Sequence, residues 1–105
     1  MGRGIRRRPK LLGEKLLRIR LAHGLTQEEL LDYLELGDVL SRAKISEYER
    51  GEREPDLMTL LAYSRSVGIT LEILADDDLE LPKDDELRAK VAQITKASKK
   101  KLTRK

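Results

Sequence analysis

Residues 26–51 read TQEELLDYLELGDVLSRAKISEYERG. Two short helical patterns stand in this stretch, separated by ELGDVLSR at residues 35–42, a turn that is long and partly apolar. The first pattern opens on Thr26-Gln27-Glu28-Glu29 and fits a capping box, in which the Thr hydroxyl and the Glu29 carboxylate satisfy reciprocal backbone donors. Its apolar face is Leu30 and Leu34, with Leu31 flanking. Gly37 and Asp38 interrupt the pattern. Ser41 is then placed to cap a second helix that buries Ile45 and Tyr48, three residues apart, and stops at Gly51. Arg42, Ala43, Lys44, Ser46 and Glu47 are left on the outward side of that helix.

On the N-terminal side, LLGEKLLRIRLAH at residues 11–23 sets Leu12, Leu16 and Ile19 at helical spacing, and Gly24 supplies the left-handed residue that ends a helix. On the C-terminal side, Glu52 to Pro55 is a polar loop. Asp56 caps a further helix with Leu57, Leu60, Leu61 and Val67 as its apolar stripe before Gly68, and Thr70 caps a short turn, Leu71 to Leu74. No alternating β-type run occurs. The expected fold is all-α: a compact five-helix domain over residues 11–78, preceded by a basic arm at 1–10 and followed by a charged extension at 79–105. ADDDLELP, residues 75–82, reads as the acidic linker between domain and extension. Beyond it Leu87, Val91 and Ile94 lie four and three residues apart, one seam of a short helix available for a second copy or another protein.

Composition narrows the chemistry. The chain has 105 residues, enough for one small domain with tails, and a net charge of +3. That balance hides an asymmetry: residues 1–10 and 96–105 together hold eleven bases and no acid, which leaves eleven bases against nineteen acids between them, a net of −8. Basic ends on an acidic body read either as arms for a polyanion or as solvated tails. With no Cys and a single histidine, His23, no thiolate or multi-histidine metal site can form. No cofactor motif, P-loop, HExxH or GxSxG is present, so no enzyme is expected. Asp76-Asp77-Asp78 reads as a solvated acidic run rather than a cation site, and His23, at a helix C-terminus, as structural. No membrane-length apolar run or secretory leader is visible, and the cytoplasm is the expected location.

Several of these segments, LTQEEL at 25–30, Ile45-Ser46, Glu49-Arg50-Gly51, Pro55 with Leu57, and Gly68 before Thr70, match in order the lambda-repressor-like helix-turn-helix proteins. The chain resembles this Cro-type, or xenobiotic-response-element, family over residues 11 to 75. It departs from the family in the interval from Leu34 to Ile45, longer by about four residues than the usual connection. The expected accommodation is that residues 35–40 extend the turn, with Leu36 or Leu40 against the core.

The resemblance implies a transcriptional regulator, in the first place a repressor, that binds double-stranded DNA with its third helix in the major groove. Arg42 and Lys44 then become the best base-reading candidates, with Ala43 able to touch a thymine methyl, Ser41 and Ser46 able to reach a base or phosphate, and Glu47 able to accept from cytosine. Gln27, in the first turn of the second helix, is placed to hold a phosphate. Arg50 and Arg53 can add phosphate contacts or pair with Glu49, Glu52 or Glu54. Arg6, Arg7, Arg8 and Lys10 form an arm for backbone or minor groove. A homodimer on DNA fits the half-site geometry of the family. The rival class is an antitoxin or transcription-bridging protein whose main role is to bind a protein partner, through the C-terminal extension.

Overall fold

The computed structural model describes residues 8–103, with side chains to residue 95. Arg6 and Arg7 of the arm, and the side chains of the basic run from Lys96 onward, lie outside the described residues. Six helices follow one another: α1 (Leu12–His23), α2 (Gln27–Tyr33), α3 (Arg42–Glu49), α4 (Leu57–Val67), α5 (Leu71–Ala75) and α6 (Asp84–Thr103). The described residues contain no strand. The five expected helices are thus joined by a sixth, whose first turns pack against α1 and α4.

Local chemistry sets most of the helix ends. The capping box forms as the sequence implies: Thr26 Oγ1 accepts from Glu29 N at 3.1 Å, and Glu29 Oε1 accepts from Thr26 N at 2.9 Å. Asp56 accepts from Thr59 N at 2.8 Å, and Ser41 from Lys44 N at a longer 3.4 Å. Thr70 stands at the start of α5 but its side chain accepts no bond there. The start of α1 is capped from a distance. Leu11 has no capping side chain of its own, and the carboxylate of Asp77 accepts from the backbone N–H groups of Lys10 and Leu11 at 2.8 and 3.0 Å. These bonds hold the Asp77 carboxyl below its ordinary range.

The long turn between α2 and α3 is a compact closure rather than a slack loop. Glu35 adopts a left-handed conformation, φ 58°, one residue past the cap of α2. The N–H of Leu36 then reaches the carbonyl of Leu31 at 2.8 Å and that of Glu35 reaches Asp32 at 3.1 Å, the paired bonds of a Schellman motif. Leu36 and Leu40 both pack against the core, as the sequence suggested of one or the other. The insertion is absorbed there, so α3 keeps Ile45 and Tyr48 buried against α1 and α2.

The core is drawn from every helix. Leu16, Ile19, Leu30, Ile45, Tyr63, Val67, Leu74 and Leu87 are fully enclosed. On α4 the buried stripe runs through Leu60, Tyr63, Ser64 and Val67. Leu57, expected in that stripe, is 66% exposed because it begins the helix beyond the edge of the core, and Leu61 is half-buried. Leu31, expected to flank, is buried. Leu81 and Leu87, beyond the boundary expected at residue 78, lie in the same core, with Val91 packed against it. The seam of Leu87, Val91 and Ile94 is therefore turned toward the chain's own helices; Ile94 also comes close to Gly68 at the end of α4.

Lys15 is buried in mid-α1, 4% exposed, and its ammonium donates to the carbonyls of Ile73 (2.7 Å), Asp76 (3.0 Å) and Leu79 (2.8 Å). All three ammonium hydrogens are thereby engaged. Two of these carbonyls belong to the end of α5, where a helix presents unpaired, partly negative oxygens. The acidic run is thus fixed by its backbone to Lys15 and by Asp77 to α1. A second tie lies at the start of α6, where Arg18 bonds Asp84 Oδ1 from Nε at 2.9 Å and the Pro82 carbonyl from Nη2 at 2.8 Å.

Two substitutions test these assignments in urea denaturation. Lys15→Met keeps the stem but strands three carbonyls, and it is expected to cost roughly 3 kcal/mol, given about 1–3 kcal/mol for each buried polar group left unsatisfied; a loss below about 1 kcal/mol would overturn the role of Lys15 as a tie between α1 and the end of α5. Glu35→Gly relieves a left-handed residue worth about 1–2 kcal/mol and returns about half of that through the flexible unfolded chain, so a net gain approaching 1 kcal/mol is expected.

Candidate nucleic-acid interface

The end of α3 packs on α1, and the contact leaves no room for a side chain at Gly13. A Cβ on Gly13 would stand 2.8 Å from the Tyr48 carbonyl oxygen and 2.9 Å from that of Glu49. The end of α3 therefore rests directly on the backbone of α1. Next to this contact, the Arg20 guanidinium grips the Glu49 carboxylate twice, Nε to Oε2 at 2.7 Å and Nη2 to Oε1 at 3.0 Å, and Nη1 donates to the Leu25 carbonyl at 2.9 Å. Both side chains are largely buried, 15% and 6% exposed. The hydrogen bond to Glu49 raises the Arg20 pKa above its ordinary value, against the opposing effect of burial. Gln27 completes the group, its Nε2 donating to Glu49 Oε1 at 3.0 Å. One carboxylate thus joins α1, the first turn of α2 and the end of α3.

Sequence reasoning offered Glu49 as a partner for Arg50 or Arg53 and missed Arg20 altogether. Helical phase carried a signal for Glu49: it is adjacent to Tyr48 and four residues from Ile45, at the border of the buried face. Nothing local marked Arg20, which lies 29 residues away.

The residues expected to face DNA fall into two groups. At the start of α3, Ser41, Arg42 and Ala43 are exposed and Lys44 is partly so, while Ile45 and Tyr48 are buried. Arg42 and Gln27 line one shallow cleft with Arg20, Thr26 and Glu28, so the starts of α2 and α3 open on the same side. At the end of α3 the side chains are engaged with one another. Arg50 holds both oxygens of Glu52, Nε to Oε2 and Nη2 to Oε1, each at 2.9 Å, and its Nη1 donates to Ser46 Oγ. Arg53 Nε donates to Glu47 Oε1 at 2.7 Å. The Arg50 bonds hold the Glu52 carboxyl below its usual range. Arg50 thus takes one of the partners the sequence offered, and Arg53 takes Glu47, which it did not. Of the basic arm, Arg8 and Lys10 line a second cleft together with Tyr48, Arg53 and Glu54, which brings the arm beside the loop that follows α3.

A family model described as Helix-turn-helix matches residues 16–74, the stretch from mid-α1 to α5. The chain belongs to the helix-turn-helix family. Among its relatives is the SPbeta prophage-derived uncharacterized HTH-type transcriptional regulator YonR of Bacillus subtilis (strain 168), 33% identical over 64 residues, 61% of this chain and 56% of that protein. Another is the uncharacterized HTH-type transcriptional regulator y4dJ of Sinorhizobium fredii (strain NBRC 101917 / NGR234), 34% identical over 70 residues, 66% of this chain and 86% of that one. The alignment thus spans little more than half the length of the prophage regulator. No solved structure matches. The helix-turn-helix regulators are a non-catalytic class. Among the described residues no cluster of three or more His, Asp or Glu is placed to hold a metal ion, and no helix is long and apolar enough to cross a membrane.

His23 closes α1 against α4. Its Nε2 lies 3.0 Å from Ser66 Oγ, and the one hydroxyl hydrogen of Ser66 is directed to the Tyr63 carbonyl at 2.7 Å, so the imidazole is the donor. Its ring lies 4.7 Å from that of Tyr33. Burial lowers the His23 pKa below its ordinary value. The unfolded chain therefore binds the proton more readily. His23 contributes stability that is complete above about pH 6.5 and is lost as pH falls through the lower folded value. Urea midpoints of the wild type are expected to drop between about pH 7 and pH 5, and less in His23→Gln, which keeps a donor for Ser66 without titrating; equal drops would assign the loss elsewhere.

Proposed function

We propose that this chain is a sequence-specific, double-stranded-DNA-binding transcriptional regulator of the lambda-repressor-like type, acting as a repressor by occupying a promoter. The observation that carries the reading is the start of α3. Arg42 and Ala43 are exposed and Lys44 partly so at the first turn of a helix that is held in place by the buried Ile45 and Tyr48 and by the Arg20–Glu49 pair. A helix so presented fits the major groove, where Arg42 and Lys44 donate to guanine O6 and N7, and Ala43 meets a thymine methyl. Gln27, oriented by Glu49, lies at the α2 N-terminus, where its amide and the free backbone N–H groups bind a phosphate. The basic arm adds sequence-independent contacts from beside the loop after α3. The transcriptional role of the named relatives supports this reading.

Two copies on DNA would read half-sites about one helical turn apart. With Leu87 and Val91 engaged in the chain's own core, the second copy docks elsewhere than on that seam. The second reading, a module whose main role is to bind a protein partner as in an antitoxin or bridging factor, is favoured by Leu57 and Met58, which stand 66% and 67% exposed at the start of α4.

Selection of bound sequences from a random duplex pool, at fixed salt, decides between them. The wild type is expected to enrich a defined motif, and Arg42→Ala/Lys44→Ala to lose information at particular bases, each lost contact being worth about 1–3 kcal/mol. If neither enriches a motif while both bind at low salt, the basic arm dominates and specific regulation by α3 is excluded.

A further inference from the structure

Phosphate-contacting arginines are ordinarily left free, yet the two at the end of α3 are held by carboxylates. Arg50 presents Nε and Nη2 to the two oxygens of Glu52 in the forked geometry with which a guanidinium binds a phosphate. Its Nη1 is taken by Ser46, and Arg53 is taken by Glu47 from the last turn of α3. The two arginines are each 54% exposed, Glu52 56% and Glu47 32%, so water and ions reach every partner. Exposed pairs of this kind contribute only about 0–1 kcal/mol to folding. They are weak enough to be exchanged for phosphate, and their stabilising value does not account for two acids on a surface facing a polyanion.

From this arrangement we infer that Glu47 and Glu52 are specificity-determining residues that act as internal competitors for phosphate. They hold Arg53 and Arg50 so that the end of α3 adds little to the binding of arbitrary duplex. The inference rests on the DNA-binding reading above and deepens it. On random DNA, each arginine that turns to a phosphate leaves a carboxylate behind, unpaired and close to the same backbone. The gain from the new contact is largely offset by the lost pair and the like-charge repulsion. Affinity for DNA then depends on the base-reading residues at the start of α3, where Arg42 has no carboxylate partner among the described residues. Removing the carboxylates converts both arginines into ordinary phosphate contacts, and this appears in the salt dependence because each neutralised phosphate releases about 0.9 of a counterion.

The test uses the full chain and short duplexes of random sequence over a salt series, comparing the wild type, Glu47→Gln/Glu52→Gln and the control Glu72→Gln. Glu72 is an exposed acid on α5, which packs on α1 and α4, so the control removes a charge away from α3. Glu47→Gln/Glu52→Gln is expected to bind at least about tenfold tighter than wild type at low salt, with a log–log salt slope steeper by about one to two. The control is expected to change affinity less than about twofold. Adding Arg50→Ala and Arg53→Ala should abolish the gain in the Gln background, while changing the wild type by less than about threefold. Far-UV circular dichroism and urea midpoints verify that each variant is folded. If the Gln variant binds no tighter than the control, or the arginine substitutions act equally in both backgrounds, the competitor role is overturned while DNA binding stands. If no folded variant, wild type included, binds duplex at low salt, the DNA-binding reading fails with it.

Discussion

The geometry of this molecule turns on the contact between α1 and the end of α3. Gly13 lets the two backbones meet at a distance that excludes even a methyl group, and Arg20 fixes the rotation of α3 through Glu49. Taking a carboxylate and a guanidinium out of water is unfavourable unless the pair is closely matched and its remaining polar atoms are bonded. Here the second requirement is met by the Leu25 carbonyl and the Gln27 amide, so satisfying the pair also positions the first turn of α2. The two helices that carry the candidate DNA contacts are thereby referred to one rigid element.

The second half of the chain supports that element. Lys15 and Asp77 bind α1 to the end of α5 and the acidic run behind it, and Arg18 binds it to the start of α6. Charged residues that would be solvated in a linker here satisfy backbone groups at helix ends. α6 then adds Leu87 to the core and packs Val91 against it. A small domain has few residues to enclose its core, and drawing on Leu81 and Leu87 enlarges the apolar area it removes from water.

Much of this was legible in the sequence where the cause is local. The capping box at Thr26 and Glu29, the caps at Ser41 and Asp56, the left-handed Gly24 and the helix end at Gly68 act within one helical turn, and each appears in the structure. The inward phase of Ile45 and Tyr48 was likewise readable from spacing, and with it the outward set around Arg42. Tyr63 was left out of the apolar stripe expected for α4, although it lies three residues from Leu60 and four from Val67 and is fully buried. The burial of Lys15 was missed because its three acceptors lie 58 to 64 residues away. Charge pairing at the end of α3 was readable only as a set of alternatives: several acids lie within reach of each arginine in sequence, and backbone direction after Gly51 selects among them.

The sequence by itself determined an all-helical helix-turn-helix pattern and the face that α3 turns outward, since helical periodicity and capping depend on neighbours three and four residues apart. Tertiary structure alone decided that the acidic run is a structural clamp, that α6 belongs against α1 and α4, and that Glu49 serves Arg20 rather than Arg50 or Arg53. These outcomes rest on contacts between residues far apart in the chain. Their energies depend on distance, desolvation and direction, none of which composition or spacing encodes.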